Sequence, residues 1–309
     1  MNVPAIIRVQ GLSRRFGDTV AVDAISFDVG RGELFGLVGP DGAGKTTTLR
    51  MLAGVMRPTD GDAFLDQISI ATDPEGVKHM IAYMPQRFGL YTDLTVMENL
   101  SFYADLYRVP KRERAARLER LFQFSNLGPF KDRLAGQLSG GMKQKLGLSC
   151  ALIHQPKILL LDEPTFGVDP ISRRDLWLIL HDMVAEGVTA VVSTAYLDEA
   201  ERFDRVALLH DGKVLAIDTP EALSAAFDGE ILVIEVAQPR EVKRLLEQLP
   251  AVVRAVLFGD KLHVVMRSMH TDQPAIEAAL KANGVEPRAL HAAPATLEDV
   301  FIGRMSEAA

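Results

Sequence analysis

Residues 34–47 read Leu34-Phe-Gly-Leu-Val-Gly39-Pro-Asp-Gly-Ala-Gly-Lys45-Thr46-Thr47. An apolar run of strand character, residues 34–38, leads into the pattern G-x-x-x-x-G-K-[ST], and a helical pattern follows over residues 48–53. Glycines allow backbone N–H groups to turn inward around a phosphate, and a helix N-terminus favours an anion there. This stretch therefore predicts a phosphate-binding loop between a strand and a helix, and the alternative is a glycine-rich turn that matches by chance.

Each position of the loop is a candidate nucleotide contact. The Lys45 ammonium ion would neutralise charge on the β- and γ-phosphates, and the Thr46 hydroxyl would ligate Mg²⁺. The candidate phosphate-contacting residues are Gly39, Pro40, Asp41, Gly42, Ala43, Gly44, Lys45, Thr46 and Thr47.

A second apolar run ends in two adjacent acids, Asp162 and Glu163. Consecutive strand residues point to opposite sides, so the two carboxylates cannot share one task. Asp162 suits a water-mediated contact with Mg²⁺, and Glu163 can orient or deprotonate the attacking water. The alternative is an ordinary acidic junction between a strand and a loop.

The composition narrows the class of protein. The chain has 309 residues, 34 Lys+Arg against 41 Asp+Glu, and a formal net charge of −7, which indicates about two domains and argues against nucleic acid as the main partner. No run approaches the ~18–20 apolar residues that span a bilayer, and the N-terminus lacks the features of a signal peptide. The single cysteine, Cys150, excludes a disulfide framework. We therefore expect a protein of the reducing cytoplasm.

The sequence pattern divides residues 3–220 into three stretches. Residues 3–70 are strand-like, residues 95–155 favour helices (96–107 and 111–122), and residues 156–220 alternate strand and helix. The short continuous apolar runs 158–161 and 189–193 are typical of strands buried in a parallel sheet.

After Asp228-Gly229 the order becomes β-α-β-β-α-β, which predicts a small ferredoxin-like α+β domain. The predicted segments are strands 231–236, 252–257, 261–266 and 285–290 and helices 240–248 and 274–283. We place the first domain at 1–227 and the second at 228–309.

Further motifs occur in a fixed order with these two. They are Phe16 before Gly17, Gln86 in Tyr83-Met-Pro-Gln86, the stretch Leu138-Ser-Gly-Gly-Met142-Lys-Gln144, and the stretch Glu163-Pro-Thr-Phe-Gly167-Val-Asp169. Together they resemble the motifs of ABC ATPases over residues 5–220. The resemblance implies a P-loop NTPase fold of the α/β class, with a RecA-like core, an antiparallel β subdomain and a helical subdomain at about 88–150.

The resemblance also implies roles for residues outside the phosphate loop. Phe16 would stack on adenine, and Gln86 would reach the nucleotide and its Mg²⁺. Two cassettes would bind ATP between them head to tail, so that Ser139, Gly140 and Gly141 of one face the phosphate loop of the other. A serine hydroxyl and a helix N-terminus suit a γ-phosphate. A groove near Gln86 would receive a helix of a membrane permease.

Two positions depart from the family pattern. The family usually has His at position 195, where it contacts the γ-phosphate, whereas this chain has Ala195, which cannot donate a hydrogen bond. Asp41 replaces the usual Asn. The run 90–99, the run 196–201 and the ending Thr296-Leu-Glu-Asp-Val-Phe301 resemble ATPases of ABC-2 drug and sodium exporters, and Ala195 resembles the first cassette of tandem export ATPases.

Two functions fit these patterns, and a third fits them poorly. The first is the MgATP-hydrolysing subunit of an exporter, working with a second cassette (as a homodimer, a heterodimer or a tandem chain) and an integral membrane permease at the cytoplasmic face of the cell membrane. The second is a nucleotide-binding regulatory subunit with little turnover, as Ala195 suggests. The third, an ABC ATPase acting on ribosomes or DNA, lacks support because the chain has neither basic linkers nor long coiled coils.

Overall fold

The computed structural model describes the backbone of residues 5–308 and the side chains of residues 5–306. The chain divides into two compact units between Pro220 and Glu221. The sequence-based joint lies slightly later, at Asp228-Gly229. Phe227 packs with Ile231 and Val233 of the second unit, which explains why the segment before Asp228 groups with that unit.

The first unit contains two sheets and a set of helices. Its strands are β1 (Ala5–Phe16), β2 (Thr19–Gly30), β3 (Leu34–Val38), β4 (Asp60–Leu65), β5 (Ile68–Ser69), β6 (Ile81–Met84), β7 (Ile158–Asp162), β8 (Thr189–Thr194), β9 (Arg205–His210) and β10 (Lys213–Asp218). Its helices are α1 (Lys45–Leu52), α2 (Val96–Leu106), α3 (Lys111–Ser125), α4 (Gly140–Leu152) and α5 (Pro170–Ala185).

The larger sheet has the order β10-β9-β3-β8-β7-β6 and is parallel except for β10. The two runs predicted as buried parallel strands form β7 and β8, and the predicted strand before the phosphate loop forms β3. Every residue of the three strands is buried, so the prediction for β7 and β8 is confirmed. The smaller antiparallel sheet has the order β2-β1-β4-β5. Parallel strands end at the same edge, which brings the loops after β3, β7 and β8 together.

Two helices of the first unit begin at capping residues that the sequence supplies. Thr95 and Glu98 form a reciprocal capping box at the start of α2, and Asp169 caps α5 with Pro170 at its first position. These patterns satisfy backbone N–H groups that have no partner inside the helix. The predicted helices 96–107 and 111–122 correspond to α2 and α3.

Between residues 230 and 293 the second unit has the β-α-β-β-α-β order that the sequence predicts, with one helix before it and one after it. Its elements are α6 (Pro220–Ala225), β11 (Glu230–Glu235), α7 (Pro239–Leu246), β12 (Arg254–Phe258), β13 (Lys261–Met266), α8 (Met269–Ala282), β14 (Ala289–Ala293) and α9 (Leu297–Ala308). The antiparallel sheet has the order β12-β13-β11-β14. Residues of α7 and α8, such as Val242 and Ile276, cover one face of it.

Two predicted boundaries in this unit are wrong. Helix α8 begins at Met269, before Pro274, because the Asp272 carboxylate accepts the N–H groups of Arg267 and Ser268 and fixes an earlier start. The last strand begins at Ala289 rather than at Val285, whose N–H still donates to Leu280 at the end of α8.

Candidate active site

The phosphate loop joins β3 to α1 and is held against neighbouring backbone. The Gly39 N–H donates to the Thr194 carbonyl (3.2 Å) at the end of β8. A Cβ at Gly39 would overlap the Leu209 carbonyl oxygen, and one at Gly44, where φ is +98°, would lie 2.6 Å from the Ala21 carbonyl oxygen. Only glycine fits these close approaches, so the loop geometry follows from its glycines.

Lys45 lies inside this loop with a side chain that is 4% exposed. Its ammonium group donates to the carbonyl oxygens of Gly39 (2.7 Å) and Pro40 (3.0 Å). It also forms an ion pair with Glu163, at 3.2 Å from Oε1. An incoming phosphate would therefore compete with Glu163 for the Lys45 ammonium group.

Thr46 and Asp162 meet beside the loop. The Thr46 hydroxyl donates to Asp162 Oδ1 (2.9 Å), which also accepts the Ser193 hydroxyl (2.8 Å). Asp162 is 2% exposed. Hydroxyl and carboxylate oxygens are ligands that Mg²⁺ prefers, so this donor set fits the ion. Burial, followed by the nearby Asp162 charge, raises the pKa of Tyr83 on the adjacent strand.

Glu163 follows directly but faces different partners. Its backbone has φ of +48°, a left-handed conformation that costs a non-glycine residue about 1–3 kcal/mol. Its N–H donates to the Ser193 hydroxyl (3.0 Å), which helps hold this conformation. The carboxylate accepts Gln86 Nε2 at 3.0 Å and pairs with Lys45. The two acids thus have separate partners.

The other sequence-predicted residues lie apart from this cluster. Phe16 ends β1 and is 45% exposed, with the Arg14 guanidinium 4.7 Å from its ring centre. Ser139 is exposed and caps α4 by accepting the Met142 N–H. Within residues 5–306, Ser139 makes no hydrogen bond to the phosphate loop.

The glycines after Ser139 have different surroundings. Gly140 is exposed, whereas Gly141 is buried against Ser172 at the start of α5. Asp41 of the phosphate loop is exposed as well.

Sequence reasoning missed two residues at this edge. Ser193 bridges Asp162 and the Glu163 backbone, and Glu199 is buried beneath Thr194. A signal for Ser193 exists, since two polar residues, Ser193-Thr194, end an otherwise apolar strand. No local pattern distinguishes Glu199 from its exposed neighbours Asp198 and Glu201.

Comparison with known proteins identifies the family of this chain. Residues 22–166 match the family described as ABC transporter. The chain is 44% identical over 308 residues to the probable multidrug ABC transporter ATP-binding protein YbhF of Escherichia coli (strain K12), covering 96% of this chain and 52% of that protein. It is 37% identical over 300 residues to Nod factor export ATP-binding protein I of Burkholderia pseudomallei (strain 1710b), covering 96% of each.

A solved structure agrees with the fold. The dimeric structure of a post-hydrolysis state of the ATP-binding cassette MJ0796, bound to ADP and Pi, matches with a TM-score of 0.62 at 26% identity, over 69% of this chain and 98% of that one. The chain spans about half the length of YbhF. Within residues 5–308, no helix combines the length and apolar character needed to cross a membrane. The chain belongs to the ABC transporter family, as an ATP-binding cassette of its ATPase subunits.

Proposed function

We propose that this chain hydrolyses MgATP to drive a membrane exporter of the ABC-2 class. The observation that carries the proposal is the meeting of Lys45, Thr46, Asp162, Glu163 and Gln86 at one edge of the parallel sheet. The relative named for Nod factor export is matched over 96% of its length. The relative named as a probable multidrug transporter protein is matched over 52% of its length. The substrate would be recognised by a separate permease.

The ion pair of Lys45 and Glu163 links ATP binding to activation of the base. When the γ-phosphate takes the Lys45 ammonium group, Glu163 loses its cationic partner and retains Gln86. The Glu163 carboxylate is then free to accept a proton from water positioned beside Gln86. Thr46 and Asp162 would hold Mg²⁺, which would neutralise charge on the β- and γ-phosphates.

The exposed start of α4 supports a dimeric mechanism. Ser139 and Gly140 are exposed at the first residues of this helix, and a helix N-terminus attracts anions. A second cassette, either another copy or a second cassette in a heterodimer or tandem chain, would place this surface against the ATP of the first. The MJ0796 cassette is dimeric in its post-hydrolysis structure, which supports dimerisation of this chain.

An aromatic surface beside Gln86 supports docking of a permease helix at the cytoplasmic face of the membrane. Tyr91 and Phe102 are exposed and their rings lie 4.6 Å apart. Phe102 contacts Tyr103 (5.5 Å), which contacts Phe88 (5.3 Å), two residues after Gln86. Exposed aromatic clusters of this kind are typical of protein interfaces. Phe88 would carry movement of a docked helix to the Gln86 segment.

Ala195 would make turnover slow. The loss of one hydrogen-bond donor at a developing charge costs about 100–1000-fold in rate in enzymes that use such donors. We expect wild type to bind ATP and to release phosphate slowly, and Ala195→His to raise the rate at least about tenfold. Ala225→His, at an exposed position of α6, is the matched control and should leave the rate unchanged.

The experiment measures ATP binding and steady-state phosphate release for these variants and for Lys45→Ala. Equal ATP binding by Lys45→Ala would contradict the phosphate-loop assignment. A wild-type rate of phosphate release equal to that of Ala195→His would contradict the claim that Ala195 slows turnover. ATP binding with no phosphate release from either protein, with or without the permease, would favour the regulatory function that Ala195 suggests.

A further inference from the structure

Glu199 is a carboxylate sealed inside the first unit. It lies in the short segment Leu197–Arg202 and is 1% exposed. A buried carboxylate is costly unless hydrogen bonds and opposite charge compensate it. Glu199 is not one of the five residues of the proposed reaction centre, so its burial must serve another purpose.

Among the described residues, the groups that contact the Glu199 carboxylate come from outside the segment Leu197–Arg202. Its Oε2 accepts the hydroxyls of both Thr165 (3.0 Å) and Thr194 (2.7 Å). Its Oε1 accepts the Trp177 Nε1–H (3.3 Å) and lies 3.7 Å from Arg173 Nε. The two threonine hydroxyls and the indole N–H donate, which suits a carboxylate, an acceptor on both oxygens. The Arg173 guanidinium adds opposite charge at ion-pair distance, without a hydrogen bond to Glu199.

The two threonines place the carboxylate between two functional loops. Thr165 is two residues after Glu163, and Thr194 immediately precedes Ala195. Glu199 Oε2 therefore connects, through two hydrogen bonds, the segment after the proposed base Glu163 to the turn that contains Ala195.

The turn itself is tied to the phosphate loop. The Thr194 hydroxyl accepts the Tyr196 N–H (3.0 Å), which closes the turn around Ala195. The Thr194 carbonyl accepts the Gly39 N–H (3.2 Å). Arg173, which neighbours Glu199, also lies over the Tyr196 ring at 4.7 Å. A connected path thus runs from α5 through Glu199 to the phosphate loop.

We propose that Glu199 is a positioning residue for ATP hydrolysis, which holds the turn of residues 194–196 and the segment after Glu163 in one fixed arrangement. The inference rests on the proposed ATPase function. It predicts that the framework for a side chain at position 195 is intact, although Ala195 supplies no hydrogen-bonding group. The benefit of Ala195→His should therefore depend on Glu199.

Glu199→Gln is the sharpest test because it keeps the side-chain shape and changes the hydrogen bonding. The Gln oxygen must face Trp177, which can only donate, so the amide NH₂ faces Thr165 and Thr194 and their hydroxyls lose their acceptor. Displacement of reacting groups by about 1 Å costs on the order of 100-fold in rate. We expect kcat for phosphate release to fall about 10–100-fold, with KM for ATP within about twofold of wild type.

Two comparisons separate positioning from a structural role. Glu201→Gln, the same change at an exposed position two residues away, should leave kcat unchanged. Ala195→His should raise kcat in the wild-type background and give little gain with Glu199→Gln. An equal gain in both backgrounds, or a kcat of Glu199→Gln within about twofold of wild type, would overturn the inference.

A third comparison covers the case in which Glu199→Gln fails to fold. Thr165→Val and Thr194→Val each remove one hydroxyl that donates to Glu199 Oε2. Because both act through one group, the kcat of the double variant should differ at least about threefold from the value expected if the two single effects simply multiplied. Additive effects would overturn the inference. Absence of ATP hydrolysis by wild type and Ala195→His alike is a different result, since it contradicts the proposed function itself.

Discussion

Gly141 and Gly140 are adjacent glycines of one motif, and the structure predicts opposite outcomes when each is replaced by alanine. A Cβ on Gly141 would lie well under 3.0 Å from both Cβ and Oγ of Ser172, at the start of α5. Rotation of the hydroxyl cannot relieve the overlap with Ser172 Cβ. A Cβ on Gly140 would have its nearest neighbour, the Gly167 carbonyl oxygen, at 3.9 Å.

The magnitude follows from the overlap. Carbon atoms make favourable contact at about 3.5–4.0 Å, so α4 and α5 must separate by on the order of 1 Å around the new methyl group. Overpacking of this kind costs about 1–3 kcal/mol, and alanine returns about 0.5–1 kcal/mol of helix propensity. Gly141→Ala should therefore lose about 1–2 kcal/mol of unfolding free energy, while Gly140→Ala should be neutral or slightly more stable.

Urea unfolding followed by tryptophan fluorescence measures this difference directly. Trp177 is the single tryptophan of the sequence, is buried, and lies in α5, the helix that must move. Adding Ser172→Gly to Gly141→Ala removes the overlapping atoms and should recover part of the loss in a double-mutant cycle. Equal stability of Gly141→Ala and wild type, or an equal loss in Gly140→Ala, would refute this reasoning.

Three further predictions concern other parts of the chain. Burial acts to raise the pKa of Asp299, but hydrogen bonds from His263 and Thr296 lower that pKa overall. Wild type should therefore be more stable than Asp299→Asn near neutral pH, and this difference in unfolding free energy should shrink as the pH falls below about 4. Urea titrations at several pH values measure it. Cys150 is fully buried and burial raises the pKa of its thiol, so a thiol reagent should label it only as fast as the chain unfolds, and rapid labelling of the folded protein would argue against this. Phe16→Ala should weaken ATP binding about tenfold through lost stacking, measured by titration calorimetry, and unchanged affinity would remove Phe16 from the site.

The central strands of the parallel sheet, and the meeting of Thr46 with Asp162 at its edge, can be predicted from local sequence patterns. The apolar runs that become β3, β7 and β8 are short, continuous and bounded by turns, so their burial in a parallel sheet is encoded locally. Strand ends in such a sheet share one edge, and that rule brings Asp162 to Thr46 although the two are 116 residues apart.

The remainder depends on contacts that no local pattern contains. Glu199 reads as one acid in a charged run, and its burial arises only because Thr165, Trp177 and Thr194 surround it in the folded chain. The start of α8 likewise depends on the Asp272 side chain, which accepts two backbone N–H groups and places the helix start at Met269, before the start that Pro274 suggests.

The most direct test of the ATPase mechanism is single-turnover phosphate release from wild type and Glu163→Gln under conditions in which both bind ATP. The Glu163 carboxylate contacts Lys45 and Gln86 and is the only group assigned to accept the proton from water. Glu163→Gln keeps the shape of the side chain but removes its basicity, so ATP should remain bound and phosphate release should fall at least about 100-fold. Phosphate release from Glu163→Gln at the wild-type rate would contradict the mechanism.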